Sequence, residues 1–197
     1  KKKKKKKGKS HEVVDWPEAI NHVVSSLSKF SGDEIAIIGS ARMTNEELYL
    51  LKTLSETLNV DIVDIIKVEG EGDEYLSHKD KRPNSNGAKA ILNLRSPGSK
   101  LNTIKKRIKE GTIKALLVYG ENIVRFGFDE NLLKGIKFMV SSHIQANPLA
   151  KLSNVILPGA GYAEKRGSMI NATGRLQLLN KAIEPPGQSR DDWEILQ

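Results

Sequence analysis

Two stretches of the chain carry side chains whose types could do chemistry, and each follows an apolar run of the kind that forms a strand. The first is Gly120-Glu121-Asn122, directly after the run 115–119. The second spans residues 158–177, follows Val155-Ile156-Leu157, and holds Glu164, Lys165, Arg166, Asn171 and Arg175 among several glycines, Gly167 included. In open α/β sheets ligands bind outside the carboxyl ends of the strands. Glu121 is therefore placed to accept hydrogen bonds from a ribose or a guanine, and Asn122 to do the same or to cap the next turn. The competing reading is a plain turn in which Asn122 tolerates a left-handed backbone. In the longer stretch Lys165 or Arg175 can serve as a phosphate contact. Alternatively Arg175 pairs with Glu164 and Asn171 bonds backbone, so that the segment ties itself down.

Other chemistries fail on spacing. His11, His22, His78 and His143 are scattered, and none stands at a metal-ligand interval from another. The chain has no cysteine, which removes disulfides, thiolate metal sites, cysteine-held clusters and a cysteine nucleophile from this segment. There is no Gly-x-Ser-x-Gly elbow, and Ser168 has no base near it in sequence. Gly159-Ala160-Gly161 begins a dinucleotide fingerprint, yet Glu164 stands where the third glycine belongs and would repel a pyrophosphate. Gly8-Lys9-Ser10 looks like the end of a P-loop, but its earlier glycine falls at Lys3 with no strand before it. No catalytic residue and no metal site are expected.

Charge gives a partner argument only at the N-terminus. The net charge is +8, and the eight lysines at 1–7 and 9 account for all of it. A run of like charges repels itself, so residues 1–10 are expected to be a basic tail or linker rather than an arm for nucleic acid. No run approaches the roughly 18–20 apolar residues of a membrane-spanning helix, and no apolar signal-peptide core follows the basic start. With 38% hydrophobic residues the rest can bury a core, and the missing cysteines fit a cytoplasmic setting.

The elements that must position these residues alternate in type. Asp15-Trp16-Pro17-Glu18 starts a helix with Ala19, Ile20, Val23, Val24 and Leu27 on its apolar face. A buried strand is expected at 34–39, then a helix capped by Thr44 with Glu47 at capping-box spacing and a Leu48, Leu51, Leu54, Leu58 stripe. Further strands are expected at 60–66, 115–119, 137–141 and 155–157. Helices are expected at 100–110, 129–134 and, as a short link, 146–152. Residues 67–89 read as a long polar loop, which inside a compact domain covers something or meets a partner. The pattern predicts an α/β fold, a mostly parallel sheet with helices on both faces, Rossmann-like, its two βαβ-like halves meeting near residue 100.

Taken together, the motifs resemble the molybdopterin oxidoreductase superfamily. The matching pieces are Val155-Ile-Leu-Pro, Glu164-Lys-x-Gly-Ser, Asn171-x-x-Gly-Arg-x-Gln, Pro185-Pro186-Gly187 and Arg190-x-Asp-Trp193, with Trp16-x-Glu18-Ala19, Thr44-Asn45-Glu46-Glu47-x-Tyr49 and Gly120-Glu121-Asn122. Two branches compete. Leu157-Pro158-Gly159-Ala160, Tyr162-x-Glu164-Lys165 and the segment from Tyr75-Leu76 through Asp80-Lys81-x-Pro83-Asn84-x-x-Gly87 are most similar to the large iron–sulfur subunits of proton-pumping NADH:quinone oxidoreductase, complex I. The other branch comprises molybdenum or tungsten enzymes such as formate dehydrogenase.

The first branch implies a scaffold domain at 11–197, a fragment of a longer subunit whose iron–sulfur clusters are held elsewhere. Its partners would be the other subunits, and it would be cytoplasmic, peripheral to the inner membrane through the complex. The second implies contact with a pterin guanine dinucleotide through Gly120, Glu121, Asn122, Lys165 and Arg175. Thr173 stands where many relatives have Glu, and Ile123 where Pro is common, which implies a vestigial site. Glu164, Gly167 and Asn171 are then expected to lock the loop to the domain.

Overall fold

Strands made of unbroken apolar runs are stable only if both faces are covered, and this sheet is covered on both. The structure, a computed structural model, describes residues 11–197; the basic segment 1–10 lies outside the described residues. Five strands, β1 (Ile35–Ser40), β2 (Ile62–Ile66), β3 (Ala115–Tyr119), β4 (Phe138–His143) and β5 (Val155–Pro158), form a wholly parallel sheet in the order β2-β1-β3-β4-β5. Successive side chains point to opposite faces. Ile35, Ile37, Val63, Ile65, Leu117 and Val140 pack under helices α1 (Trp16–Leu27), α2 (Asn45–Thr57) and α3 (Ser85–Ile91), with a short final helix α6 (Asp192–Leu196) on the same side. Ala36, Ile38, Ile66, Leu116, Val118 and Met139 pack against α4 (Leu101–Lys109) and α5 (Glu130–Leu133). Each fully buried isoleucine or leucine among them contributes roughly 1.5–3 kcal/mol of transfer free energy before entropy is counted. The parallel α/β architecture expected from the sequence is the one observed.

Helix starts are set by local chemistry. Asp15 Oδ1 accepts from Glu18 N–H at 2.9 Å, and Asp129 Oδ1 from Leu132 N–H at 2.9 Å. Thr44 and Glu47 close a reciprocal box: Glu47 N–H donates to Thr44 Oγ1 at 3.3 Å and Thr44 N–H to Glu47 Oε2 at 2.7 Å. Before α4, the buried Asp64 of β2 accepts from Gly98 N–H (2.8 Å) and Lys100 N–H (2.6 Å), pinning that connection to the sheet.

Several expectations need correction. The segment 67–89 is not loop throughout, because α3 occupies its end. Asn86 and Gly87 are poor helix formers, and Gly87 is there for space, since a Cβ would lie 2.2 Å from the side-chain oxygens of Asn45 and Asn84. Residues 146–152 form turns instead of a helix: Asn147 bonds Ala150, and Ser153 N–H closes on Leu149 O at 3.0 Å. The stretch 158–177 runs into an antiparallel hairpin, β6 (Gly167–Ile170) and β7 (Leu176–Leu179), neither of whose four-residue strands alternates cleanly between polar and apolar residues. Val24, assigned to the apolar face of α1, is exposed.

Candidate functional site

The strand order reverses at β1, with β2 on one side and β3, β4 and β5 on the other, so the carboxyl ends of β1 and β3 flank a switch point. A cavity of about 780 Å³ opens there. Ser40 and Arg42 come from the end of β1, Gly120, Glu121 and Asn122 from the end of β3, and His143 from the end of β4. Ala160 and Gly161 follow β5, Lys165 and Asp192 close one side, and Arg82 reaches in from the loop before α3. Gly120 makes the β3 turn possible, with φ at 69° and a Cβ position only 3.2 Å from Ser40 Cβ. Its N–H donates to Ser142 O at 2.9 Å, which ties the turn to β4.

Two buried ionic clusters stand in the walls. In the first, Arg82 Nη2 lies 2.9 Å from both Glu121 oxygens, and Ser40 Oγ donates to Glu121 Oε1 at 2.7 Å. Burial raises the Glu121 carboxyl above its usual range, while the Ser40 hydrogen bond, Arg82 and Arg42 pull it back down. In the second, Lys165 Nζ donates to Glu47 Oε1 at 2.9 Å and to Oε2 at 2.8 Å. Asp192 is buried beside it and accepts from Ser142 Oγ at 2.5 Å. Burial raises both the Asp192 and the Glu47 carboxyls, Lys165 offsets part of each rise, and Asp192 adds to that of Glu47. One ammonium thus serves two carboxyls.

Three buried polar atoms on the cavity wall have no hydrogen-bond partner among the described residues: Arg82 Nε, Asn122 Oδ1 and His143 Nε2. An unpaired buried polar atom costs roughly 1–3 kcal/mol, and three around one cavity are what a ligand with both donors and acceptors would satisfy. Burial pushes the His143 imidazole down to about 4, so the ring is neutral near pH 7. Arg42 and Arg125 line the same cavity, are solvent-exposed, and form no ion pair among the described residues. The donor set suits a polar base with an anionic group. Among the described residues no group of three or more His, Asp or Glu side chains is placed to hold a metal ion.

Of the residues singled out in the sequence, the structure brings Gly120, Glu121, Asn122 and Lys165 together in the cavity. Arg175 is elsewhere, on the exposed turn between β6 and β7, where its N–H donates to Asn171 Oδ1 at 2.9 Å. Asn171 Oδ1 also takes Thr173 N–H and Oγ1, and its carbonyl accepts from Asn86 Nδ2 at 2.7 Å. Glu164 accepts from Gly161 N–H at 2.6 Å and not from Arg175. Gly167 is a close-approach glycine, since a Cβ would lie 2.7 Å from Thr44 and Glu46 side-chain atoms. Next to it Ser168 N–H and Oγ both donate to the Glu46 carboxylate at 2.8 Å. Sequence reasoning passed over Ser40, Arg42, Arg82 and Asp192 as cavity residues, and treated Glu47 only as a cap and His143 only as a scattered histidine. Asp192 had a signal in the Arg190-x-Asp-Trp193 motif; the others had none at short range.

Comparison with known proteins follows the same lines. Residues 81–197 match the family described as molybdopterin oxidoreductase. The chain is 40% identical over 107 residues to the F420-dependent formate dehydrogenase subunit alpha of Methanocaldococcus jannaschii, covering 51% of this chain and 16% of that protein. It is 33% identical over 103 residues to the NADPH-Fe(3+) oxidoreductase subunit alpha of Geobacter sulfurreducens, covering 50% of this chain and 12% of that one. It is also 37% identical over 90 residues to the mitochondrial NADH-ubiquinone oxidoreductase 78 kDa subunit of Candida albicans, covering 44% and 12%. The matched segments are a small fraction of these relatives' lengths.

Proposed function

We propose, starting from the fact that this chain belongs to the molybdopterin oxidoreductase family, that it is a scaffold domain of the large iron–sulfur subunit of an NADH:quinone oxidoreductase. In this reading it supports electron transfer from NADH to quinone through clusters held elsewhere in the subunit. It lies in the cytoplasm, peripheral to the inner membrane through the complex, among the other subunits. The observation that carries the reading is the state of the cavity's charged side chains. Glu121, the residue placed to accept from a guanine or ribose, has both oxygens engaged by Arg82 and a third bond from Ser40. Lys165, the residue placed to meet a phosphate, is held by both oxygens of Glu47. Charges satisfied inside the protein hold elements together and leave little for a cofactor.

A second reading has its own observation. The unpaired Arg82 Nε, Asn122 Oδ1 and His143 Nε2, with Arg42 and Arg125 in the same cavity, fit the guanosine and phosphate end of a pterin dinucleotide. Arg82, Asn122 and His143 would then hold the base or ribose, and the two exposed arginines the phosphates. That cofactor supplies a pterin-held metal for two-electron chemistry on a small substrate such as formate. This chain's residues would bind and orient its nucleotide end.

One experiment separates the two. The intact parent protein is purified from its host, its molybdenum and tungsten are measured, and nucleotide released by acid is quantified. The scaffold reading expects both far below one per subunit, together with NADH:quinone activity of the assembly. One metal and two guanine nucleotides per subunit would overturn it in favour of the second reading.

A further inference from the structure

A loop outside the cavity is built with unusual care for a solvent-exposed segment. Between β2 and α3 the chain doubles back, with Glu69 and Asp80 paired as an antiparallel bridge. Gly70 N–H donates to Lys79 O at 2.9 Å and Asp73 N–H to Ser77 O at 2.8 Å. Lys81 Nζ fastens the side, donating to Ser77 Oγ at 2.6 Å and Glu71 O at 2.5 Å. The arms meet closely at Gly72, where a Cβ would lie 2.9 Å from Lys79 N and Ser77 O. At the tip a single oxygen, Asp73 Oδ1, accepts the backbone N–H groups of Tyr75 (2.8 Å), Leu76 (2.6 Å) and Ser77 (3.0 Å). The Leu76, Ser77 and Tyr75 N–H groups hold the Asp73 carboxyl below its usual range, so the tip stays closed at neutral pH.

What this frame displays is Tyr75 at 89% exposure and Leu76 at 97%. A single exposed apolar residue needs no explanation. Two adjacent ones, held out on a backbone whose ordering cost is already met, have the properties of interface anchors: large contact area, Tyr chemistry, and little entropy left to lose on docking. Glu71, Asp73 and Glu74 are exposed around them; Lys79 is exposed too and Lys81 bonds back onto the loop, so the carboxylates outnumber the free ammonium beside the tip. Acidic neighbours disfavour an anionic lipid surface and favour a basic rim on whatever receives the tip.

We propose that residues 69–80 form a docking finger, with Tyr75 and Leu76 seated in an apolar pocket rimmed by Lys or Arg on another subunit of the same oxidoreductase assembly. This rests on the reading that the domain works inside a multisubunit oxidoreductase. The test uses the full-length protein, affinity-tagged in its host, as wild type and as the Tyr75→Ser/Leu76→Ser pair, with the stoichiometry of every co-purifying assembly subunit read by mass spectrometry. A photoreactive phenylalanine analogue in place of Tyr75 identifies the contact. Thermal unfolding of the serine pair should match wild type, since both side chains are in water. Expected is at least a tenfold loss of one particular subunit from the serine pair, the same subunit that carries the cross-link. Equal stoichiometry in both proteins, or cross-links confined to lipid or to a second copy of this chain, overturns the finger alone. A wild-type protein that purifies without any other subunit overturns the assembly reading and the finger with it.

Discussion

The two ionic clusters in the cavity walls look alike in composition and differ in balance. Around Glu121 one carboxylate meets one guanidinium and one hydroxyl, and the charges cancel. Around Lys165 one ammonium faces Glu47 directly and Asp192 nearby, so a buried carboxyl remains in excess. A balanced pair mainly fixes geometry, here the loop before α3 against the end of β3. An unbalanced one also stores a dependence on pH. The second cluster joins more of the chain as well: Glu47 lies on α2, Lys165 just before β6, Asp192 at the start of α6 and Ser142 on β4.

That contrast predicts a ranking. Lys165→Met should do the most damage, leaving two buried carboxyls without a cation and costing about 3–5 kcal/mol, as expected when one partner of a buried pair is removed. Urea unfolding of the folded domain measures it, and a loss below about 1 kcal/mol would show that the cluster is wetter than its burial implies. Arg82→Met should cost less, about 2–3 kcal/mol, because Glu121 keeps the Ser40 hydroxyl and the nearby Arg42. If the order of the two variants were reversed, the comparison between clusters would fail.

The smallest effect has a distinctive sign. Burial holds the folded-state Asp192 carboxyl above its ordinary 3.8, so the folded protein binds that proton more tightly than the unfolded chain does. The stability this contributes is complete below pH 3.8 and is lost as pH rises through the raised value. Asp192→Asn keeps a partner for Ser142 and carries no charge. It should therefore be about 1 kcal/mol more stable than wild type at pH 7, with the advantage shrinking as pH falls toward 4. Urea midpoints across that range decide the matter, and parallel curves for the two proteins would refute it.

Local patterns were readable, long-range neutralisation was not. The strands announced themselves because Ile35, Ile37, Ile38, Leu116, Leu117 and Val118 leave no polar face, and such runs have one stable home. Thr44 and Glu47 could be paired from three-residue spacing. That the same Glu47 carboxylate lies under Lys165, 118 positions away, could not. Arg82 stands 39 positions before Glu121, at the unassigned position of the Asp80-Lys81-x-Pro83 motif in a polar loop. The hairpin was hidden for a related reason. Ser168 and Ile170 take their order from Glu46 and Asn84 on other elements rather than from their own strand propensity. The turn Asn171-Ala172-Thr173-Gly174 did carry a hairpin cue, outweighed by the charged residues on either side. Tyr75-Leu76 could be read as the start of a family-like motif in a long connection, but not as an exposed tip, because the bonds to Asp73 that hold it out are set by the folded loop.

One contact described by none of these clusters has a mechanical consequence. Trp16, the first residue of α1, donates its indole N–H to Gln188 O at 2.8 Å, and the Arg190 guanidinium lies 4.8 Å from the centre of its ring. Arg190 is itself stitched to the edge of β5, its N–H on Pro158 O at 3.1 Å and its carbonyl on Ala160 N–H at 2.8 Å. The opening helix and the closing strap are therefore riveted at one corner of the sheet. Loosening Trp16 would therefore disturb two distant parts of the sequence at once, the start of α1 and, through Arg190, the backbone beside β5.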